Sequence, residues 1–281
     1  MRARIVVFSL ILALPAVLSA AHLGDFYVIP VAGHAAGANA TMWHTDIALH
    51  NFQSVPITIE VGVIETGEGA QENFFPLSMG GPSTLTVPAG GTVILTDVLN
   101  NHRGQPQTVG ALLLGGDRSF AVTSRTYAID ASGSSRTGQS VPATQAMLSS
   151  SEEEAFLPGV MANTQFRTNI GFTGSARRGA PLVIEVAILG AEGATLGTRT
   201  FTVPAGAVNH LQFSSAAITT TPFDEGTARV RIVSGDGEVV SYASVVENAS
   251  NNAIFISSIV PGANGANATS SSFAEKLRSL F

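Results

Sequence analysis

Between residues 57 and 63 apolar and polar positions alternate: Ile57, Ile59, Val61 and Val63 fall on one face of an extended chain, and Thr58, Glu60 and Gly62 on the other. A period of two marks a half-buried strand, because successive side chains of extended backbone point to opposite sides. The same parity returns at Leu182, Ile184, Val186 and Ile188. Short runs of this kind, rich in β-branched residues and separated by Gly, Pro and Asn clusters, make up most of the chain. No helical period is evident before residue 270 once the first apolar segment is set aside.

The runs are duplicated. "LTVPAG" stands at 85–90 and "FTVPAG" at 201–206, 201 − 85 = 116 positions apart. Four further blocks recur in the same order: 27–34 with 156–163, 43–51 with 166–174, 59–64 with 184–189, and 110–127 with 226–245. Collinear order of this kind is an internal repeat. In both copies Pro-Ala-Gly supplies a turn between strands, proline presetting one dihedral and glycine accepting a positive φ. Seven or eight short strands per copy is the spacing of an antiparallel sandwich. The predicted fold class is therefore all-β: two tandem antiparallel β-sandwich domains related by the repeat, at 22–147 and 155–261, with a linker at 148–154. A flexible tail follows at 262–281. There Phe273, Leu277, Leu280 and Phe281 fall at i, i+4, i+7 and i+8, which predicts a short C-terminal amphipathic helix.

The first 21 residues read as a signal peptide: Arg2 and Arg4, an apolar run from Ile5 to Leu18, then the small residues Ser19, Ala20 and Ala21. Pro15 interrupts the run, which is shorter than the roughly 20 residues a bilayer-spanning helix needs, so no stable membrane span is expected after cleavage. Removing two arginines takes the formal charge from −6 to −6 − 2 = −8. Lys276 is the only lysine and the arginines are scattered, which excludes a nucleic-acid-binding stripe and suggests a bacterial source. The absence of cysteine excludes disulfides, thiolate metal sites, thiol catalysis and a lipoprotein anchor. The expected location is exported: periplasmic, cell-surface or extracellular.

The pattern "IPV…WHTDIALHN…LTVPAG…GALLL…SRTY…GQSVPA" resembles exported bacterial proteins of tandem β-sandwich repeats, mostly of unassigned function. More distantly it is similar to the sensory rhodopsin transducer family. The resemblance implies a strand-rich exported protein and carries over no catalytic residue.

Chemical signatures are sparse. "GQSVP" at 138–142 is not a nucleophile elbow, and neither H-E-x-x-H nor a phosphate loop occurs. On the strand at 43–51, His44, Asp46 and His50 share the face opposite Trp43, Thr45, Ile47 and Leu49. Imidazole and carboxylate suit zinc, but the second copy has Arg167, Asn169 and Thr173 there. These residues are therefore read as exposed polar groups, with no metal and no cofactor expected. Arg125 and Tyr127 join the same face, so that His44, Asp46, His50, Arg125 and Tyr127 form a candidate surface patch. Asp46 and Arg125 align with Asn169 and Ala243 in the second copy; two opposite charges lost together predict a cross-strand ion pair. The expected function is a non-enzymatic interaction module for a periplasmic or extracellular protein or glycan. A carbohydrate-binding module is the alternative, and a hydrolase without a sequence signature the second.

Overall fold

The structure is a computed structural model that describes residues 24–261 apart from 38–39, 68–73, 78–83, 104–106, 134–135 and 145–146. The signal segment at 1–21 and the helix expected within 262–281 lie outside the described residues. The first copy contributes β1 (Gly24–Ala36), β2 (Met42–His50), β3 (Ile57–Glu65), β4 (Phe74–Pro76), β5 (Thr84–Val87), β6 (Thr92–Leu95), β7 (Thr108–Ile129) and β8 (Arg136–Ser140), with a short helix α1 (Val98–Arg103) between β6 and β7. The second copy contributes β9 (Glu154–Ala162), β10 (Phe166–Ala176), β11 (Leu182–Gly190), β12 (Thr195–Val203), β13 (Val208–Ser214), β14 (Phe223–Ser234), β15 (Gly237–Glu247) and β16 (Ala253–Ser257). Among the described residues the strand pairings are antiparallel except one isolated bridge, Thr66 with His210.

The all-β expectation matches these elements, but two tandem β-sandwiches are not what the chain builds. The first copy forms one eight-stranded sheet in the order β4-β3-β7-β1-β2-β6, with β5 on β3, β8 on β7, and a further pairing of β7 with β2. The first part of β7, Gly110–Gly116, lies between β3 and β1, whereas Ala121–Ile129 pairs with β2 and Arg125–Ile129 also with β8. Because β1 and β2 pair as well, the sheet wraps almost into a barrel around Ile29, Ile47, Leu49, Ile59, Val61, Leu112 and Leu114. The cause is the unbroken run of β7. In the second copy the equivalent chain turns at Gly235, whose φ of +86° suits glycine and where a Cβ would overlap the Pro181 carbonyl. That turn separates β14 from β15, and two four-stranded sheets result, β13-β10-β15-β16 and β12-β11-β14-β9. The helix α1 is a further departure. It buries Val98 and Leu99 completely in the barrel core, yet six residues are too few to show a helical period.

The two copies also share apolar contacts. Both faces of β1 and of the first part of β7 are apolar: Tyr27, Ile29, Leu112 and Leu114 point into the barrel. Phe26, Val28, Ala111 and Leu113 point the other way and, with Ile64 and Met147, meet Val208 and Val240 of the second copy. Burying a Val, Leu, Ile or Phe side chain contributes roughly 1.5 to 3 kcal/mol. Exposing this junction would thus cost on the order of 10 kcal/mol, the scale of a whole domain's stability. Tyr242 crosses the same boundary, packing with the barrel core and stacking on Phe255 at 5.6 Å. It lies over Gly171, where any Cβ would overlap its ring. Its hydroxyl donates to Gln212 Oε1 at 3.0 Å and lies 3.1 Å from His210 Nε2, while His210 Nδ1 lies 2.7 Å from Thr66 Oγ1. Leu148, at the start of the expected linker, exchanges backbone hydrogen bonds with Val239.

Two outcomes follow from this junction. Fragments 22–150 and 151–281 made separately are expected to lack a cooperative thermal transition and to recover one when mixed; calorimetry of each fragment and of the mixture checks this. The second outcome concerns His210, which burial pushes down to about 3, a hydrogen bond to the Pro30 carbonyl being too weak to offset it. With the folded pKa below the unfolded one, the unfolded chain binds the extra proton between pH 6.5 and about 3. Stability is therefore lost as pH falls through that window, by about 1.4 kcal/mol per pH unit from this group. Urea unfolding at pH 7, 6, 5 and 4 should show a shallower loss for His210→Gln than for the unaltered protein.

Candidate functional site, a His–His–Asp cluster beside a buried carboxylate

The site assembles where β1 ends against β2. The buried Thr45 hydroxyl accepts from the Gly33 N–H at 2.8 Å and lies 2.9 Å from Thr126 Oγ1. These bonds tie the end of β1 to β2 and β7, so that the next residue, His34, emerges beside His44, with ring centroids 5.2 Å apart. Asp97 arrives from the turn between β6 and α1. That turn is held by the buried Leu95, Val98 and Leu99 on its flanks and by the Asn101 N–H donating to the Asp97 carbonyl at 3.0 Å. One oxygen of Asp97, Oδ1, lies 3.0 Å from His34 Nδ1, and the other, Oδ2, lies 3.0 Å from His44 Nδ1.

Asp46 lies beneath this cluster. It faces Arg125 across the β2–β7 pairing, as His44 faces Tyr127. The expected ion pair is present: Arg125 donates from Nε at 3.0 Å and from Nη2 at 2.7 Å, both to Asp46 Oδ2. The other oxygen, Oδ1, accepts from the Asp97 N–H at 2.8 Å and from the Tyr127 hydroxyl at 3.2 Å. Burial raises the Asp46 pKa, but the hydrogen bonds from Asp97, Arg125 and Tyr127 outweigh it and hold the carboxyl below its usual value. The pair is asymmetric in exposure, with the Asp46 side chain 6% accessible and that of Arg125 62%. Tyr127 stacks on His44 at 5.7 Å, and the Arg125 guanidinium lies 5.1 Å from the Tyr127 ring centre.

Of the five patch residues read from the sequence, four thus meet: His44, Asp46, Arg125 and Tyr127. His50 stands apart at the far end of β2, with Nδ1 2.9 Å from Thr92 Oγ1. Sequence reasoning missed His34 and Asp97. A signal was available in the repeat, since the aligned blocks place Asn163 at His34 and Arg167 at His44, so both imidazoles are lost together. Strand register and matching hydrogen bonds also correct the alignment, putting Ala162 at His34 and Ser215 at Asp97. Opposite Asn169 stands Ser244, with Ala243 one position away, so Ser244 is the structural counterpart of Arg125.

The donor atoms of His34, His44 and Asp97 lie within 4.8 Å of one another, a group of the residue types that serve as metal ligands or as acid–base catalysts. This half-buried cluster overturns the expectation of a strictly non-enzymatic protein. Among the described residues no helix is long and apolar enough to cross a membrane.

No protein-family model matches the chain, and no curated protein matches it. Among solved structures, a Bacteroides uniformis β-glucuronidase bound covalently to cyclophellitol-6-carboxylate aziridine overlaps 79% of this chain and 26% of its own, at 10% identity and a TM-score of 0.20. A second structure of a β-glucuronidase from that organism gives 9% identity, the same coverage and a TM-score of 0.19. The chain thus spans about a quarter of the length of these enzymes. A lectin from Pleurotus ostreatus in complex with GalNAc overlaps 85% of this chain and 84% of its own, at 9% identity and a TM-score of 0.18. Overlaps this slight do not bear on fold or function.

The bond pattern around Asp46 sets an expected ranking of substitutions. Asp46→Ala strands the Asp97 N–H and is expected to cost about 2 kcal/mol. Arg125→Ala removes a mostly exposed partner and is expected to cost about 1 kcal/mol or less. In a double-mutant cycle read by thermal unfolding, Asp46→Asn with Arg125→Ala should be less harmful than the sum of the single changes.

Proposed function

We propose that the protein is an exported carbohydrate-interacting module whose ligand meets the outer face of the sheet formed by β6, β2, β7 and β8. The observation that supports this reading is the make-up of that face. Its outward positions run Thr92 and Ile94 on β6, His44, Asp46, Ala48 and His50 on β2, Thr123, Arg125 and Tyr127 on β7, and Gly138 and Ser140 on β8. Thr92, Ile94, His50, Thr123, Arg125, Gly138 and Ser140 are exposed. Small and hydroxyl side chains leave the face open, while a guanidinium anchored by a buried carboxylate supplies planar donors in a fixed orientation. A sugar presents hydroxyls that can donate and accept at once, and such a surface can answer them without a deep pocket. The exposed Ile94 adds an apolar spot for a ring's C–H face.

The His–His–Asp cluster borders this face at His44, so chemistry on a bound sugar is compatible with the reading. An interaction module could instead take a protein partner on the same face. A glycan array with the mature protein separates the two. Saturable retention of a defined glycan, weakened about tenfold or more by Arg125→Ala in a variant that still unfolds cooperatively, is the expected result. No retention on the array, together with crosslinking of Thr123→Cys or Ser140→Cys variants to a protein neighbour, would replace the glycan with a protein. Glycoside and ester panels run alongside report whether a bound sugar is also turned over.

A further inference from the structure

We propose that His34, His44 and Asp97 form a binding site for a divalent transition-metal ion of the zinc type, with Asp46 as its positioning residue. This proposal stands on its own geometry and does not require a glycan ligand. An ion with bonds of roughly 2.0 to 2.1 Å in a tetrahedral set keeps its ligand atoms about 3.3 Å apart. Here one Asp97 oxygen, Oδ1, is 3.0 Å from His34 Nδ1 and the other, Oδ2, is 3.0 Å from His44 Nδ1, and a set of one ligand atom from each residue lies within 4.8 Å. Small side-chain rotations bring the three to one centre. Two imidazoles and one carboxylate favour zinc-like ions over calcium or magnesium, which prefer all-oxygen shells.

A carboxylate that merely bridges two imidazoles by hydrogen bonds would give similar distances, and two observations favour the ion. The first is backbone strain. Asp97 has φ +44°, in the left-handed region that non-glycine residues rarely adopt and that costs conformational energy. It is held there by the bond from its own N–H to Asp46, a carboxylate anchored in turn by Arg125 and Tyr127. A chain of this kind fixes the direction of a ligand, as outer hydrogen bonds do around metal sites.

The second observation is the other copy of the repeat, which keeps the strands and loses the ligands together. Thr168 bonds to Met161 as Thr45 does to Gly33, so Ala162, which has no ligand atom on its side chain, takes the place of His34. Arg167, at that of His44, donates to Asn248 and Asn251. Strand register places the buried Ser215 at that of Asp97, since Leu95 faces Ile47 as Phe213 faces Ile170. A guanidinium in place of an imidazole cannot serve a cation, and the strand framework forms without any of the three groups. The triad in the first copy is therefore not a requirement of the strands. Its side chains are partly open to solvent, at 12%, 16% and 16% for His34, His44 and Asp97, and three protein ligands leave a coordination position for a group from outside.

The test is titration of the chelator-treated full protein with zinc alone, read by calorimetry, and with cobalt, read by its visible absorption. Saturable one-to-one binding is expected, weakened at least about 100-fold by His44→Ala or Asp97→Asn and about tenfold or more by Asp46→Asn. Should those variants unfold, nitrogen-15 imidazole spectra of the unaltered protein decide: zinc should shift two of the six histidines, one of them His34 and the other His44. Absence of saturable binding, binding unchanged in folded variants, or shifts at other histidines would overturn the proposal.

Discussion

Burial of both faces of β1 and of the first part of β7 is the constraint on which the rest of the structure depends. A strand that is apolar on one side can lie on the surface of its own domain, but one that is apolar on both must be covered twice. The barrel core covers Tyr27, Ile29, Leu112 and Leu114, and the second copy helps cover Phe26, Val28, Ala111 and Leu113. This places the conserved strand plan of the repeat in two different settings. In the first copy β7 runs on past the junction and carries Arg125 and Tyr127 to β2. In the second, the turn at Gly235 ends β14 and starts β15, and the corresponding face carries Ser244 and Val246 opposite Asn169 and Arg167.

The site depends on the same long strand. Asp46 is a buried carboxylate whose oxygens are satisfied by groups from three places: Arg125 and Tyr127 on β7, and the Asp97 N–H in the turn before α1. A carboxylate removed from water requires such partners, since an unpaired buried charge is strongly destabilising. Meeting that requirement has a second effect, because the donor from Asp97 holds its side chain between His34 and His44. Stability and ligand geometry therefore share one set of bonds.

Much of the fold could be read from the sequence. Alternation at Ile57–Val63 and Leu182–Ile188 places those residues in their cores as expected, and the repeat carries the strand order from one copy to the other, with β7 matched by β14 and β15 together. Alternation does not say whether a strand serves one sheet or two, which is why the wrapped sheet of the first copy was not foreseen. The runs "FYVI" and "ALLL" did carry a signal of burial on both faces, in contrast to "ARVRIV" of the second copy, where Arg229 and Arg231 alternate with the buried Ala228, Val230 and Ile232. At the site, cross-strand parity was enough to join Asp46 with Arg125 and His44 with Tyr127. His34 and Asp97 reach the cluster through a strand end and a left-handed turn, and neither feature has a period to betray it.

The metal centre is tested most directly by anomalous X-ray diffraction from crystals of the full protein grown with zinc, recorded on both sides of the zinc absorption edge. A strong peak about 2.0 to 2.2 Å from a ring nitrogen of His34, a ring nitrogen of His44 and an oxygen of Asp97 is the predicted result. Occupied zinc sites elsewhere on the protein, with Asp97 still bridging the two imidazoles by hydrogen bonds alone, would contradict it.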